Sequence, residues 1–144
     1  MNITNDMLKT PTSNQQGVVS INFSRDRIQF RRSLTLLVAQ TFLPKPERET
    51  FDTPINLDGN RFNNNVNNLM WRPRWFAIKY HAQLKKPTPF GFTGEIDLIE
   101  TDERFKSVRE CATKYGLLEK EVILAAHNNK PVFPIWFNFH IVNI

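Results

Sequence analysis

Histidine and cysteine are scarce in this chain of 144 residues: it holds three His, none before His81, and one Cys. A single Cys excludes an internal disulfide framework and any zinc cluster built from cysteines of this chain. It also fits a reducing compartment. His81, His127 and His140 do not pair with one another at metal-ligand spacing. No apolar run approaches the roughly 18–20 residues that span a bilayer. The opening text, Met1-Asn2-Ile3-Thr4-Asn5-Asp6, lacks a basic segment followed by an apolar block and does not read as a signal peptide. The expectation is a cytoplasmic protein with no membrane partner, no resident metal and no cofactor.

What is present points to a packed domain. The hydrophobic share is 40% and Phe occurs 12 times, enough for a core. The formal net charge of +5 is unevenly placed. Residues 1–90 carry 13 Lys and Arg against 6 Asp and Glu, a net of +7, and residues 91–144 carry 6 against 8, a net of −2. The first stretch suits a polyanion and the second does not.

Residues 1–16 are polar and read as a flexible lead. Val18 to Phe23 and Arg27 to Arg31 alternate apolar and polar around Ser24-Arg25-Asp26, which predicts a β-hairpin. Leu34, Leu37, Val38 and Phe42 share a helical face, with Ser33 as N-cap and Pro44 as the stop. From Pro44 the text has no helix or strand signature until Asp58-Gly59-Asn60, a turn signal. Asn60, Asn63, Asn64, Asn65, Asn67 and Asn68 then predict an irregular loop held by its own hydrogen bonds. Pro73 suits the first turn of a helix reaching about Lys85, with Trp71, Trp75 and Ile78 on one face. Pro87-Thr88-Pro89-Phe90-Gly91 reads as a linker over residues 87–94.

Beyond it, residues 95–144 predict a β-α-turn-α-β module. Glu95 to Glu100 alternates like a strand. Ser107-x-x-Glu110 is a capping box, and Gly116 ends the first short helix. The second helix runs from Glu119 to about His127, and Val132 to Ile144 reads as a strand. Cys111 falls on the inward face of its helix and is assigned to the core.

Residues 17–82, within a module read as residues 17–86, resemble the HNH homing endonucleases of phages and mobile introns. The resemblance lies in Leu34-Thr35-Leu36-Leu37-Val38-Ala39-Gln40-Thr41-Phe42-Leu43-Pro44-Lys45-Pro46, followed by Asn56-Leu57-Asp58-Gly59-Asn60 and then Asn63-Asn64-x-x-Asn67-Asn68-Leu69-Met70-Trp71. It implies an α+β fold, with an N-terminal HNH-like ββα module preceded by a hairpin and helix. It also implies a phage or mobile-element origin, and so a host cytoplasm.

HNH chemistry uses a His as general base, a divalent metal, and metal ligands on either side of a loop pinned by an Asn. The matching positions here hold Asn56 for the general base and Ile55 and Ala77 for the ligands, none of which can do that work. Thr35 replaces the His of the preceding helix. Asn68 retains the structural Asn. The expectation is a pseudo-nuclease. Asp58 and His81 are the residues that a relocated active site would use.

Arg31, Arg32, Arg61, Arg72, Arg74, Lys79, Lys85 and Lys86 are the candidates for phosphate contact. The C-terminal text Phe105-x-Ser107-x-x-Glu110-Cys111-Ala112-x-x-x-Gly116 resembles the helix-turn-helix modules appended to these endonucleases. Its second helix opens with Glu119, Lys120 and Glu121, which suit either a protein partner or base edges. Three functions follow: a DNA-binding regulator, a subunit that modulates a larger machine such as a polymerase or ribonucleoprotein, or a metal-dependent endonuclease with relocated groups.

Overall fold

The computed structural model describes residues 7–8, 12–13, 19–25 and 28–142. They form a mixed α+β chain that divides into two compact units, Met1–Arg74 and Trp75–Ile144.

In the first unit, β3 (Val19–Arg25) and β4 (Ile28–Ser33) make the expected antiparallel hairpin, pairing Phe23 with Phe30 and Ser20 with Ser33. The flexible lead assigned to residues 1–16 is corrected in part: β1 (Met7–Leu8) and β2 (Thr12–Ser13) both pair antiparallel with the other edge of β3. The edge of β3 away from β4 offers backbone groups for pairing, and even two-residue segments can take them.

Helix α1 (Leu34–Phe42) starts where expected, with the Leu36 N–H donated to the Ser33 hydroxyl at 3.2 Å. Such a cap is worth about 1 kcal/mol. The buried side of α1 is Thr35 and Ala39, while Phe42 is 68% exposed. The expected face, Leu34 to Phe42, is therefore off by about one residue, roughly 100° of rotation. The helix packs against β3 and β4 and also against a second sheet, so its contact face is set by two layers.

The residue pattern after Pro44 carries no signal for that second sheet, although the ββα module implied by the resemblance contains two strands. The sheet comprises β5 (Thr53–Asn56) and β6 (Leu69–Arg72), antiparallel, with Ile55 opposite Met70 and Asn56 opposite Leu69. Thr53-Pro54-Ile55-Asn56 neither alternates nor contains an apolar run, and only its partner makes it a strand. The Trp71 indole N–H donates to the Pro44 carbonyl at 3.0 Å and ties β6 to the segment after α1.

Helix α2 (Arg74–Gln83) buries Phe76, Ala77, Tyr80 and His81. Trp75 and Ile78, the apolar face read from the spacing, are 52% and 63% exposed. Phe76 and Tyr80 stack 6.5 Å apart, and Phe133 lies 6.0 Å from Phe76, so the inner side is already filled by aromatic rings.

The boundary read from sequence lay at residues 87–94, but the compact units part at Arg74, so α2 belongs with the second unit. The Gln83 amide donates to the Leu117 carbonyl and accepts from the Glu119 N–H, each at 2.8 Å. Arg109 donates to the carbonyls of Gln83 and Lys86. A proline-rich text marks a turn, and whether it also separates domains depends on hydrogen bonds that cross it.

The second unit carries a three-stranded antiparallel sheet in the order β8 (Glu103–Phe105), β7 (Ile96–Leu98), β9 (Phe139–Ile141). The sequence reading missed β8. Ile96, Leu98, Phe105 and Phe139 turn inward, onto Val108, Cys111 and Val122 from two helices and Leu117 from the turn between them. Helix α3 (Val108–Tyr115) is capped by Ser107, whose hydroxyl accepts from the Glu110 N–H at 3.1 Å. Gly116 ends it at φ 66°, where a side chain is strained. Helix α4 (Glu119–Asn128) ends at Asn129, also left-handed.

The strand expected over residues 132–144 is corrected to β9 alone. Ahead of it the chain turns through Phe133–Trp136: the Trp136 N–H reaches the Val132 carbonyl at 2.7 Å, and Val132 bridges to Phe137. Pro134 has no N–H to give a ladder, and Trp136 sits at φ 57°, which no strand tolerates.

Candidate nucleic-acid interface

The loop from Leu57 to Asn68, between β5 and β6, is organised by Asp58 and Asn68. The Asn68 amide donates to an Asp58 carboxylate oxygen and to the Asn63 carbonyl, each at 2.9 Å, while its oxygen accepts the Asp58 N–H at 3.1 Å. Asp58 also accepts from the Asn60 N–H and from the Asn63 amide, both at 2.8 Å. Partial burial pushes the Asp58 carboxyl up, but these donors outweigh it, led by the Asn63 amide, and hold its pKa below the usual carboxylate value. Both of its oxygens are used inside the loop. Chemically it is a staple.

Ile55 is fully buried and offers no donor atom. Asn56 is 1% exposed, with its amide N–H groups directed to the Asn63 carbonyl at 2.9 Å and the Asn64 side-chain oxygen at 3.1 Å. That same Asn64 oxygen accepts from the Thr35 hydroxyl at 2.6 Å. Asn56, Asn64 and Thr35 thus form one network linking β5, the loop and α1. Asn64 was missed as a functional position by sequence reasoning; among six asparagines nothing distinguished it. In the second unit, Ala77 is buried and lacks a donor, and His81 is buried edge-on to Tyr80, 5.8 Å between ring centres. Among the described residues no group of three His, Cys, Asp or Glu side chains is placed to hold a metal ion.

The candidate phosphate contacts separate into distinct environments. Arg74, Lys79, Lys85 and Lys86 are exposed, all on α2 or just after it. Arg61, on the loop, is half-buried, and burial lowers its pKa. Arg31 and Arg32 lie on β4, with side chains outside the described residues. Arg72 is a correction: it is 6% exposed, and its guanidinium donates to the Trp71 carbonyl at 2.7 Å and meets the Met70 sulfur. A guanidinium spent inside the fold is not available to a phosphate.

A second correction concerns Glu119, taken as a candidate partner contact with Lys120 and Glu121. Glu119 is fully buried, and its carboxylate accepts two bonds from Arg109, at 2.6 and 3.2 Å. Its position beside the α4 N-terminus also suits the helix dipole. Lys120 and Glu121 are exposed. Cys111 is fully buried; burial pushes its thiol up to about 12, as its core assignment requires. No described helix is long and apolar enough to cross a membrane.

No protein-family model matches the chain, and no curated protein matches it. Among solved structures, that of the HNH homing endonuclease I-HmuI, concerned with DNA binding and cleavage, is similar over 94% of this chain and 82% of that one. The identity is 16% and the TM-score 0.43.

Proposed function

We propose that the chain is a nucleic-acid-binding regulator, with duplex DNA as its ligand, built on an HNH-like frame that no longer cleaves. The reading rests on the text shared with those endonucleases, and one observation carries the loss of cleavage. At the position where a general base would stand, Asn56 is buried and committed to the network with Asn64 and Thr35. An amide cannot accept a proton near neutral pH, and Ile55 beside it cannot ligate a hard cation. Asp58, the nearest carboxylate in the sequence, is engaged in holding the loop. The exposed Arg74, Lys79, Lys85 and Lys86 supply phosphate contacts, which give affinity with little sequence information.

Two measurements test this. In a mobility shift on duplex DNA across a salt series, the log–log slope should be steep, with a contribution of about 0.9 per phosphate contact. Lys85→Ala and Lys86→Ala should each flatten it by about 1, and Arg72→Ala should leave it unchanged. Plasmid DNA incubated with the protein and Mg²⁺ or Mn²⁺ should stay intact. Metal-dependent cleavage that is lost in Asp58→Ala or His81→Ala would overturn the reading.

A further inference from the structure

Within the unit Trp75–Ile144, α2, α4 and the turn after α4 enclose a groove of about 570 Å³. Its aromatic walls are Trp75, Phe133 and Trp136, and its charged rim is Lys79, Lys130 and Glu121. The size falls within the range of small-ligand sites. Phe133 lies at the back: it stacks on Trp75 at 5.8 Å with the rings 24° apart, and it meets Trp136 edge-to-face at 5.8 Å. The two indoles stand forward, Trp75 52% and Trp136 53% exposed. Large aromatic surface left open to water beside a core already rich in Phe marks a place where something else stacks.

The charges decide what stacks there. An aromatic enclosure with one carboxylate, Glu121, would suit an organic cation. Here the Lys79 ammonium already lies 5.5 Å from the Trp75 ring centre, and Lys130 brings a second positive charge to the same rim. Two lysines against one glutamate repel a cation and attract an anion that also has a flat apolar face. A nucleobase carrying its phosphate has both properties. The half-exposed indoles leave the rim open, so a strand can enter and leave, and the exposed Lys85 and Lys86 just beyond α2 suit phosphates further along it.

We infer that this groove binds an unpaired nucleotide of a nucleic-acid strand, the base against Trp136 and the phosphate on Lys79 and Lys130. Stacking on indole tolerates any base, so the site would add affinity for single strands without sequence readout. The inference deepens the nucleic-acid reading and rests on it, and Trp136 and Lys130, which test the groove, are not among the residues given duplex contacts.

The experiment is fluorescence anisotropy of fluorescein-labelled (dT)8 with the full chain, run beside the duplex mobility shift. Trp136→Asn is the chosen variant, because Asn accepts the left-handed backbone at that position. It should weaken (dT)8 binding by about tenfold or more, on the scale of one stacking contact. Lys130→Ala should also weaken it, and duplex retention should be unchanged in both. Circular dichroism and thermal melting establish that each variant is folded. Absence of (dT)8 binding by the wild-type chain overturns the inference, and so does undiminished binding by folded Trp136→Asn and Lys130→Ala. Tight (dT)8 binding without duplex retention would sustain the groove and sink the duplex reading, so the two proposals can fail separately.

Discussion

Replacing Arg109 with Met should uncouple α3 and α4 from α2 within the second unit. The side chain makes two bonds to the buried carboxylate of Glu119 and also reaches the carbonyls of Gln83 and Lys86. Met fills similar volume but donates nothing, so the Glu119 charge is left fully buried with its cation gone. Breaking a buried pair in this way costs about 3–5 kcal/mol. The Arg109 side chain is 34% exposed, so solvent screens part of the interaction and the lower end, about 3 kcal/mol, applies. The unit Trp75–Ile144 spans about 70 residues. With an unfolding entropy near 2 cal/mol/K per residue, each kcal/mol lowers its Tm by about 7 °C. Arg109→Met should therefore melt about 20 °C below the wild type. Arg109→Met combined with Glu119→Gln should recover a good part of that loss, since a neutral amide in the same place needs no cation. Calorimetry of the four proteins gives the coupling. If Arg109→Met costs less than about 1 kcal/mol, or the two substitutions simply add, the pair does not hold this unit together.

Asn68→Ala removes three bonds from the loop between β5 and β6 and strands the Asp58 N–H; urea unfolding should show a loss of about 1–3 kcal/mol. Glu103 receives bonds from Lys114, Tyr115 and Thr101, which lower its carboxyl to about 2. A depressed folded-state pKa contributes stability that is complete above the unfolded value and lost as pH falls through the folded one. Urea midpoints of Glu103→Gln and wild type should therefore differ most above pH 4.5 and converge toward pH 2. The Cys111 thiol should resist a disulfide reagent at pH 8 in the native protein and react at once in denaturant, because it is both buried and raised to about 12.

Local chemistry was legible without coordinates. Ser33, Ser107 and Gly116 end their helices as their types dictate, because capping needs only a side-chain oxygen or a missing Cβ at one position. The Asn-rich stretch folds into its own hydrogen-bond network for a similar reason: its donors and acceptors lie within about ten residues of one another. Cys111 lies inside, as the helical spacing of its neighbours implied.

Failures came wherever the partner lay far along the chain. Strand β5 exists because β6 pairs with it across the loop, and Thr53-Pro54-Ile55-Asn56 has no signal of its own. Helices α1 and α2 were found, but their inward faces were not. Periodicity gives a stripe, and the layers that cover it choose the angle. Glu119 shows a different limit: its text, a carboxylate at a helix start, is indistinguishable from that of a solvated cap, and the packing of α3 against α4 makes it a buried ion pair with Arg109.

The sequence by itself determined the composition of the candidate site: which positions lack a donor, which asparagines could brace a loop, and where the positive charge collects. Those are properties of residue types at fixed spacings. Only the tertiary structure decided which of the basic residues face water, withdrawing Arg72 and keeping Lys79, Lys85 and Lys86 outside. It alone brought Trp75, Phe133 and Trp136 to one groove across about sixty residues of chain. Exposure and long-range juxtaposition depend on how layers pack, and no local pattern encodes that.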